Sequence, residues 1–322
     1  MPPYRAPWWL PGGHLQTLYP YLALGRRPPR YRRSRWETPD GDFIDIDWLA
    51  QAPAEAPLLV LFHGLEGSSA SHYAGALMRA VERRGWRGAV VHFRGCSGEP
   101  NRLARAYHSG DADEIDWILR RLRAAGRQPL FAAGVSLGGN ALLKWLGREG
   151  EAARAAVDAT AAVSAPIALS VAGERLGRGV NRLYGMHFLH TLKAKSLAKL
   201  RQFPGLYDAA AVRRARTLRE FDDVVTAPLH GFRDADDYWT RAASKPGLGR
   251  IAVPTLIVHA RNDPFLPGAW LPGGGEVSGS VTLEYTRAGG HAGFAAGPFP
   301  GNLDWLPARL IAFFSGFAPR ME

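Results

Sequence analysis

The 322-residue chain has a single cysteine, Cys96, so no disulfide can form within it. That fits a reducing compartment, and a cytoplasmic location is expected. No window of about 18 apolar residues occurs, so no membrane span is expected. The first 21 residues are broken by Pro2, Pro3, Pro7, Pro11 and Pro20. They lack an apolar core followed by a small-residue cleavage site, so no signal peptide is expected. Lysine is scarce: Lys144, Lys193, Lys195, Lys199 and Lys245 are the only ones, and 40 − 5 leaves 35 arginines. The net charge of +11 is carried by scattered arginines without a nucleic-acid motif, so nucleic acid is not an expected partner. No histidine cluster or Asp-rich loop accompanies the paired carboxylates Asp222 and Asp223, so no metal is expected, nor any cofactor. The pair is expected to cap or salt-bridge locally.

What is present is an ordinary globular balance, 46% hydrophobic and 21% charged, long enough for one large domain with an insertion. Residues 26–35 are arginine-rich and read as a solvated loop. Residues 33–38 and 43–49 flank Pro39-Asp40-Gly41, a turn between antiparallel strands. Leu58 through Phe62 is a short continuous apolar run, 89–93 reads as a second buried strand, and further strands are read at 130–133, 161–163, 255–258 and 281–285. An apolar run such as 58–62 marks a strand buried on both faces. Helical spacing at 71–84, 111–125, 137–147 and 303–315 separates several of them. The alternation predicts a mostly parallel eight-stranded sheet with helices on both faces. Residues 170–250 show helical patterns only, too long for an ordinary connection, and read as a helical cap over the carboxyl ends of the strands. The expected organisation is an N-terminal arm at 1–32, a core at 33–169 and 251–322, and a cap insertion at 170–250.

Gly134-Val135-Ser136-Leu137-Gly138-Gly139 stands between a predicted strand and a predicted helix. A serine on such a turn is held in a strained conformation with its hydroxyl exposed. Chance supplies roughly 0.2 such patterns in a chain of this composition, so the strand–turn–helix context carries the argument. The plain alternative is an ordinary N-cap serine. A nucleophilic serine needs a base, and the base needs an orienting acid, in the chain order Ser, Asp or Glu, His. Asp263 lies three residues past the strand at 254–260; its alternative is a turn-forming aspartate before Pro264. His291 lies in a glycine-rich loop after the last strand; its alternative is a surface loop histidine. His187 and His190 (in the cap), His230 (near its end) and His259 (in a strand) fit the base less well. Two backbone N–H groups should receive the oxyanion, one from Leu137 and the other from Leu65 in His63-Gly64-Leu65-Glu66-Gly67-Ser68.

These residues resemble the YheT-like α/β-hydrolases of bacteria and their eukaryotic abhydrolase-domain relatives. The likeness rests on Trp9 through Thr17, with its His-Leu-Gln-Thr, and on His63 through Ser68, Phe93 through Glu99 and Tyr107 through Gly110. It continues in Gly134 through Asn140, Phe221-Asp222-Asp223, Ala260 through Phe265 and Gly290 through Phe294. The resemblance implies the α/β-hydrolase fold and a serine esterase or lipase acting on carboxylic or lipid esters, with Ser136, Asp263 and His291 as the triad. Amides and thioesters would use the same residues, and a non-catalytic ligand-binding module is the alternative of another class. An epoxide hydrolase or dehalogenase would need a carboxylate in place of Ser136.

Other segments are expected to be structural. His14 and the Trp8-Trp9 pair should pack the arm on the domain. Cys96 should be a buried structural thiol. The basic stretch Phe188 through Leu200 is read as a cap helix with its apolar face over the pocket and its lysines solvated; peripheral membrane contact through the cap is the alternative. A monomer is the expected state, with a small ester or lipid as its substrate.

Overall fold

Five consecutive apolar residues, Leu58–Phe62, are all buried because the strand they form meets different helices on its two faces. Side chains alternate across a strand. Leu58, Val60 and Phe62 enter one core with Ile115, Ile118 and Leu142. Leu59 and Leu61 enter another with Leu77, Val81 and Leu310. The computed structural model of the chain describes residues 2–25 and 28–318. Its strands are β1 (Tyr31–Glu37), β2 (Phe43–Leu49), β3 (Leu58–Phe62), β4 (Arg87–His92), β5 (Leu130–Val135), β6 (Ala159–Val163), β7 (Thr255–Ala260) and β8 (Val281–Thr286). They form one eight-stranded sheet in the order β1-β2-β4-β3-β5-β6-β7-β8. β2 is antiparallel to both of its neighbours, and the remaining pairs are parallel.

Outside the insertion lie α1 (Gly13–Ala23), α2 (His72–Arg83), α3 (Ala112–Ala124) and α4 (Leu137–Glu149). Between β6 and β7 come α5 (Leu169–Leu176), α6 (Arg182–Gln202), α7 (Ala209–Arg214), α8 (Leu218–Phe221), α9 (Ala227–His230) and α10 (Ala235–Ala242), and α11 (Trp305–Ser315) follows β8. α3 and α4 cover one face of the sheet, α2 and α11 the other. The register aligns the strand ends: Phe62 pairs with Gly134, Val135 with Val163, and Val163 with Val258. The loops after β3, β5, β6 and β7 therefore leave the sheet at one edge, where an open α/β sheet places its ligands.

Two expectations need correction. The arginine-rich stretch is not a loop throughout: strand pairing begins at Tyr31. Arg33 and Arg35 are bidentate to the buried carboxylates Asp47 and Asp45, which would be costly to bury unpaired. Arg26 and Arg27 lie outside the described residues. Of the tryptophan pair, Trp9 packs edge-on against Tyr19 and Phe299, but Trp8 projects outward, 90% exposed.

Asn140 ties three layers together. Fully buried on α4, its Nδ2 donates to the Ser109 and Ala242 carbonyls, and its Oδ1 accepts from Ser244 N–H. Asn140→Ala leaves these three groups unpaired in the interior. Urea denaturation should report a loss of about 3 kcal/mol.

Candidate functional site

Ser136 stands at the turn from β5 into α4 with φ 53° and ψ −120°. A non-glycine residue at positive φ is strained and persists only where its surroundings fix it. Here Ser136 N–H donates to Val163 O at 2.8 Å and Gly138 N–H to His63 O at 3.1 Å. A Cβ on Gly138 would lie 2.4 Å from Phe62 O, so only glycine lets α4 come this close to β3.

The structure brings Ser136, His291 and Asp263 into one line. His291 Nε2 lies 2.9 Å from Ser136 Oγ, and His291 Nδ1 lies 2.8 Å from Asp263 Oδ2. An ionised carboxylate only accepts, so Nδ1 carries the proton and Nε2 is left to accept from the hydroxyl. Asp263 Oδ1 accepts from Phe265 N–H and Leu266 N–H. Burial pushes the Asp263 carboxyl up, but the His291 ring and hydrogen bonds from His259 and His291 outweigh it and hold the group well below the usual carboxylate range. His259 is a contact the sequence reading missed: its Nε2 sits 3.3 Å from Asp263 Oδ2 and 3.2 Å from Leu266 O. Asp263 thus faces two imidazoles.

The loop carrying His291 is clamped at four successive N–H groups, each by a side chain. Gly289 N–H donates to Gln16 Oε1, Gly290 N–H to Asn262 Oδ1, His291 N–H to Thr17 Oγ1 and Ala292 N–H to Ser164 Oγ. His72 Nε2 lies 3.1 Å from Ala292 O. Gln16 also accepts from Asn262 Nδ2 and donates to Leu10 O, so one amide joins the arm, the acid loop and the base loop. Gly293 lies so close beneath α1 that a Cβ there would be 1.9 Å from Gln16 O. Gln16 and Thr17 belong to the His-Leu-Gln-Thr segment. The segment carries part of the family resemblance, yet nothing in its spacing marks it as the support of the histidine loop. The same segment's His14 reaches Tyr184 on α6 at 3.2 Å.

The loop after β3 is held as tightly. His63 is fully buried: Phe93 N–H donates to its Nε2, so Nδ1–H donates to Gly64 O. Burial pushes this imidazole down to about 3, leaving it neutral. Gly64 N–H donates to Tyr73 Oη, and Glu66 N–H, at φ 56°, donates to Tyr107 Oη. With its neighbours' N–H groups engaged, that of Leu65 donates to no protein acceptor among the described residues, and neither does that of Leu137. Both residues line the same cavity as Ser136 and His291.

That cavity is about 650 Å³, within the usual range for small-molecule sites. Its walls are mostly apolar, with Leu176, Phe188, Leu192, Phe221, Val225 and Phe265 among them. Phe265 lies against the His291 ring, centroids 4.2 Å apart. Two expectations change here. Cys96 packs against the core but at its margin, half-buried, where it also forms part of the cavity wall, and desolvation there pushes its thiol up to about 11. The lysines of α6 are not simply solvated: Lys195 pairs with Glu66 at 2.9 Å, Lys199 donates to Asn101 O, and Lys193 to Arg213 O. Lys195 thereby links the insertion to the loop bearing Leu65.

Comparison with known proteins gives a consistent picture. The family profile described as the alpha/beta hydrolase fold matches residues 57–295. YheT of Escherichia coli (strain K12) is 44% identical over 305 residues, covering 92% of this chain and 88% of the relative. Phospholipase ABHD3 of Mus musculus is 30% identical over 301 residues, covering 90% and 73%. The solved structure of an esterase from Exiguobacterium antarcticum matches with a TM-score of 0.55 at 19% identity, covering 88% of this chain and 99% of the other. At that identity the likeness speaks to the fold.

Asp222, on the cavity wall, accepts from Trp239 Nε1 and Thr226 Oγ1, while Asp223 accepts from Ala235 N–H. Burial pushes the Asp222 carboxyl up to about 6. Folded Asp222 therefore holds its proton above the ordinary value of 3.8, and the fold loses stability as the pH rises between the two. Asp222→Asn removes that loss. Its thermal stability relative to the parent should rise between pH 4 and pH 7, by on the order of 2 kcal/mol.

Proposed function

The chain belongs to the YheT-like branch of the α/β-hydrolase family, and from that premise we propose that it is a serine hydrolase cleaving carboxylic esters through an acyl intermediate on Ser136. The observation that carries the reading is the 2.9 Å contact from His291 Nε2 to a serine hydroxyl held on a strained turn. In this reading His291 takes the Ser136 proton as Oγ attacks the ester carbonyl. The tetrahedral oxyanion is received by the N–H groups of Leu65 and Leu137. On collapse the C–O bond breaks, and the alcohol leaves with the proton from His291. Water then gives a proton to His291 as it attacks the acyl carbonyl; on collapse the bond from the acyl carbon to Ser136 Oγ breaks, His291 returns the proton to Oγ, and the acid leaves. Asp263 holds the imidazole in the accepting tautomer and offsets its charge when protonated.

The substrate class follows from the walls. A largely apolar cavity of about 650 Å³ beside Ser136 suits an aliphatic acyl group. A relative named as a phospholipase agrees with a lipid ester. In this reading residues 170–250 act as the cap domain, 1–32 as an arm, and 33–169 with 251–322 as the core. The protein works as a cytoplasmic monomer without a cofactor.

Ser136→Ala should abolish both labelling by a fluorophosphonate probe and turnover of a p-nitrophenyl ester, and Asp263→Asn should lower kcat by about 10⁴. Labelling that survives Ser136→Ala overturns the assignment, and folded parent protein that takes no label speaks for a ligand-binding module. Near-normal turnover by Asp263→Asn would overturn the assignment of Asp263 as the orienting acid. Gln16→Leu and Thr17→Val act only by loosening the His291 loop. Steady-state kinetics should show kcat lowered by about 10- to 100-fold with KM nearly unchanged.

A further inference from the structure

α1 has two faces with different tasks. Gln16, Thr17 and Pro20 are buried, and the first two hold the His291 loop. Leu15, Leu18 and Leu22, spaced three and four apart, face outward with Tyr21 beside them. The start of α6 presents Leu183 and Met186 in the same way. These six side chains are 38–73% exposed. The two helices are in contact: His14 stacks on Tyr184 with centroids 5.9 Å apart, and Tyr21 meets His187 edge-on at 6.2 Å. The outward residues thus form one apolar surface spanning both helices. Scattered exposed leucines are ordinary, but grouped ones mark an interaction surface.

Charge identifies the partner. Residues 1–36 contain seven arginines and no acid, and residues 175–207 contain seven Lys or Arg and no acid. α1 and the first turns of α6 therefore lie in two stretches of the chain that are rich in cations and free of carboxylates. Several are engaged elsewhere: Arg33 and Arg35 with Asp47 and Asp45, Arg178 with Glu174, Lys195 with Glu66, and Lys193 and Lys199 with backbone carbonyls. Arg182, one turn before Met186, is exposed and makes no ion pair among the described residues. An apolar face flanked by Arg182, in chain segments that hold no acid, matches an anionic bilayer surface, where apolar side chains enter the acyl region and cations stay with the headgroups.

Position identifies the purpose. Tyr184 packs edge-on against Phe265 at 4.9 Å, and Phe265 lies against His291. The outer face of α1 is one helix thickness from the loop that carries the base. We propose that α1 and the first turns of α6 dock the enzyme on anionic membranes and set its site against a bilayer that holds the ester. The proposal rests on the ester-hydrolase reading and places contact at the arm and the start of α6, away from the 188–200 segment whose lysines hold the core.

The test uses Ser136→Ala protein, so that lipid is not consumed, sedimented with phosphatidylcholine vesicles with and without phosphatidylglycerol. Binding is expected to the anionic vesicles. Leu22→Glu/Leu183→Glu should reduce it about tenfold, and Arg182→Glu, which leaves the apolar face intact, should weaken it in the anionic vesicles alone. In the active protein the double substitution should leave turnover of a soluble p-nitrophenyl ester unchanged while lowering turnover of an ester carried in anionic vesicles. Equal vesicle binding by parent and double variant overturns the proposal. So does a parent dimer, broken by the substitutions, that binds no vesicle, because the face then belongs to a second copy. A parent that binds vesicles but takes no fluorophosphonate label refutes the hydrolase reading and leaves the docking surface standing.

Discussion

The hydrogen bond from Ser136 Oγ to His291 Nε2 spans 2.9 Å between groups 155 residues apart in the chain. Each stands on a loop at a strand end, and loops are the parts of a fold most free to move. Proton transfer requires the pair to stay within hydrogen-bond reach. The fold restrains both ends by different means. The serine end is fixed by backbone: its strained turn joins β5 to α4, and α4 approaches β3 so closely that the space beside Gly138 admits no side chain. The histidine end is fixed by side chains, with four consecutive N–H groups of its loop engaged by Gln16, Asn262, Thr17 and Ser164. A glycine-rich loop has much conformational entropy to lose. Supplying a fixed acceptor for each N–H offsets that loss and leaves the imidazole one principal position.

This division explains what could be read from the sequence. The eight strands and the order of Ser136, Asp263 and His291 were legible because each depends on local pattern. Buried strands appear as apolar runs, and the turn at Ser136 needs glycine at nearby positions. The clamp was not legible, because Gln16 and Asn262 are 246 residues apart and act through hydrogen bonds that leave no periodic trace. His259 reads as a strand residue, which it is, yet the end of β7 turns it onto Asp263. The arginine-rich stretch misled for a related reason. Arg33 and Arg35 look solvated in one dimension and become strand residues only when Asp47 and Asp45 stand opposite them.

The helical insertion is bound to the core by polar contacts as well as by packing. Lys195 reaches Glu66, whose own N–H is held by Tyr107, and Lys199 reaches the carbonyl of Asn101. At the other end Asn140 receives Ser244 and holds Ala242. The loop bearing Leu65 therefore takes its shape from the buried imidazole of His63 on one side and from an insertion lysine on the other. An exposed lysine contact is individually weak. Its significance lies in joining the wall of the cavity to the loop whose free N–H faces the reacting position in the ester-hydrolase reading.

α1 brings these threads together. An N-terminal arm is ordinarily the least ordered part of a domain unless something ties it down. Here Gln16 and Thr17 tie it to the residues that orient and carry the imidazole. A helix that only needed to brace that loop would gain by a polar outer face, since exposed leucines bring no packing energy and invite association. Retaining Leu15, Leu18 and Leu22 outward on the same helix that holds His291 makes sense if the outer face has a surface of its own to meet. The bracing and the docking would then share one rigid element, and contact with the bilayer would be made by the helix that already fixes the geometry of the site.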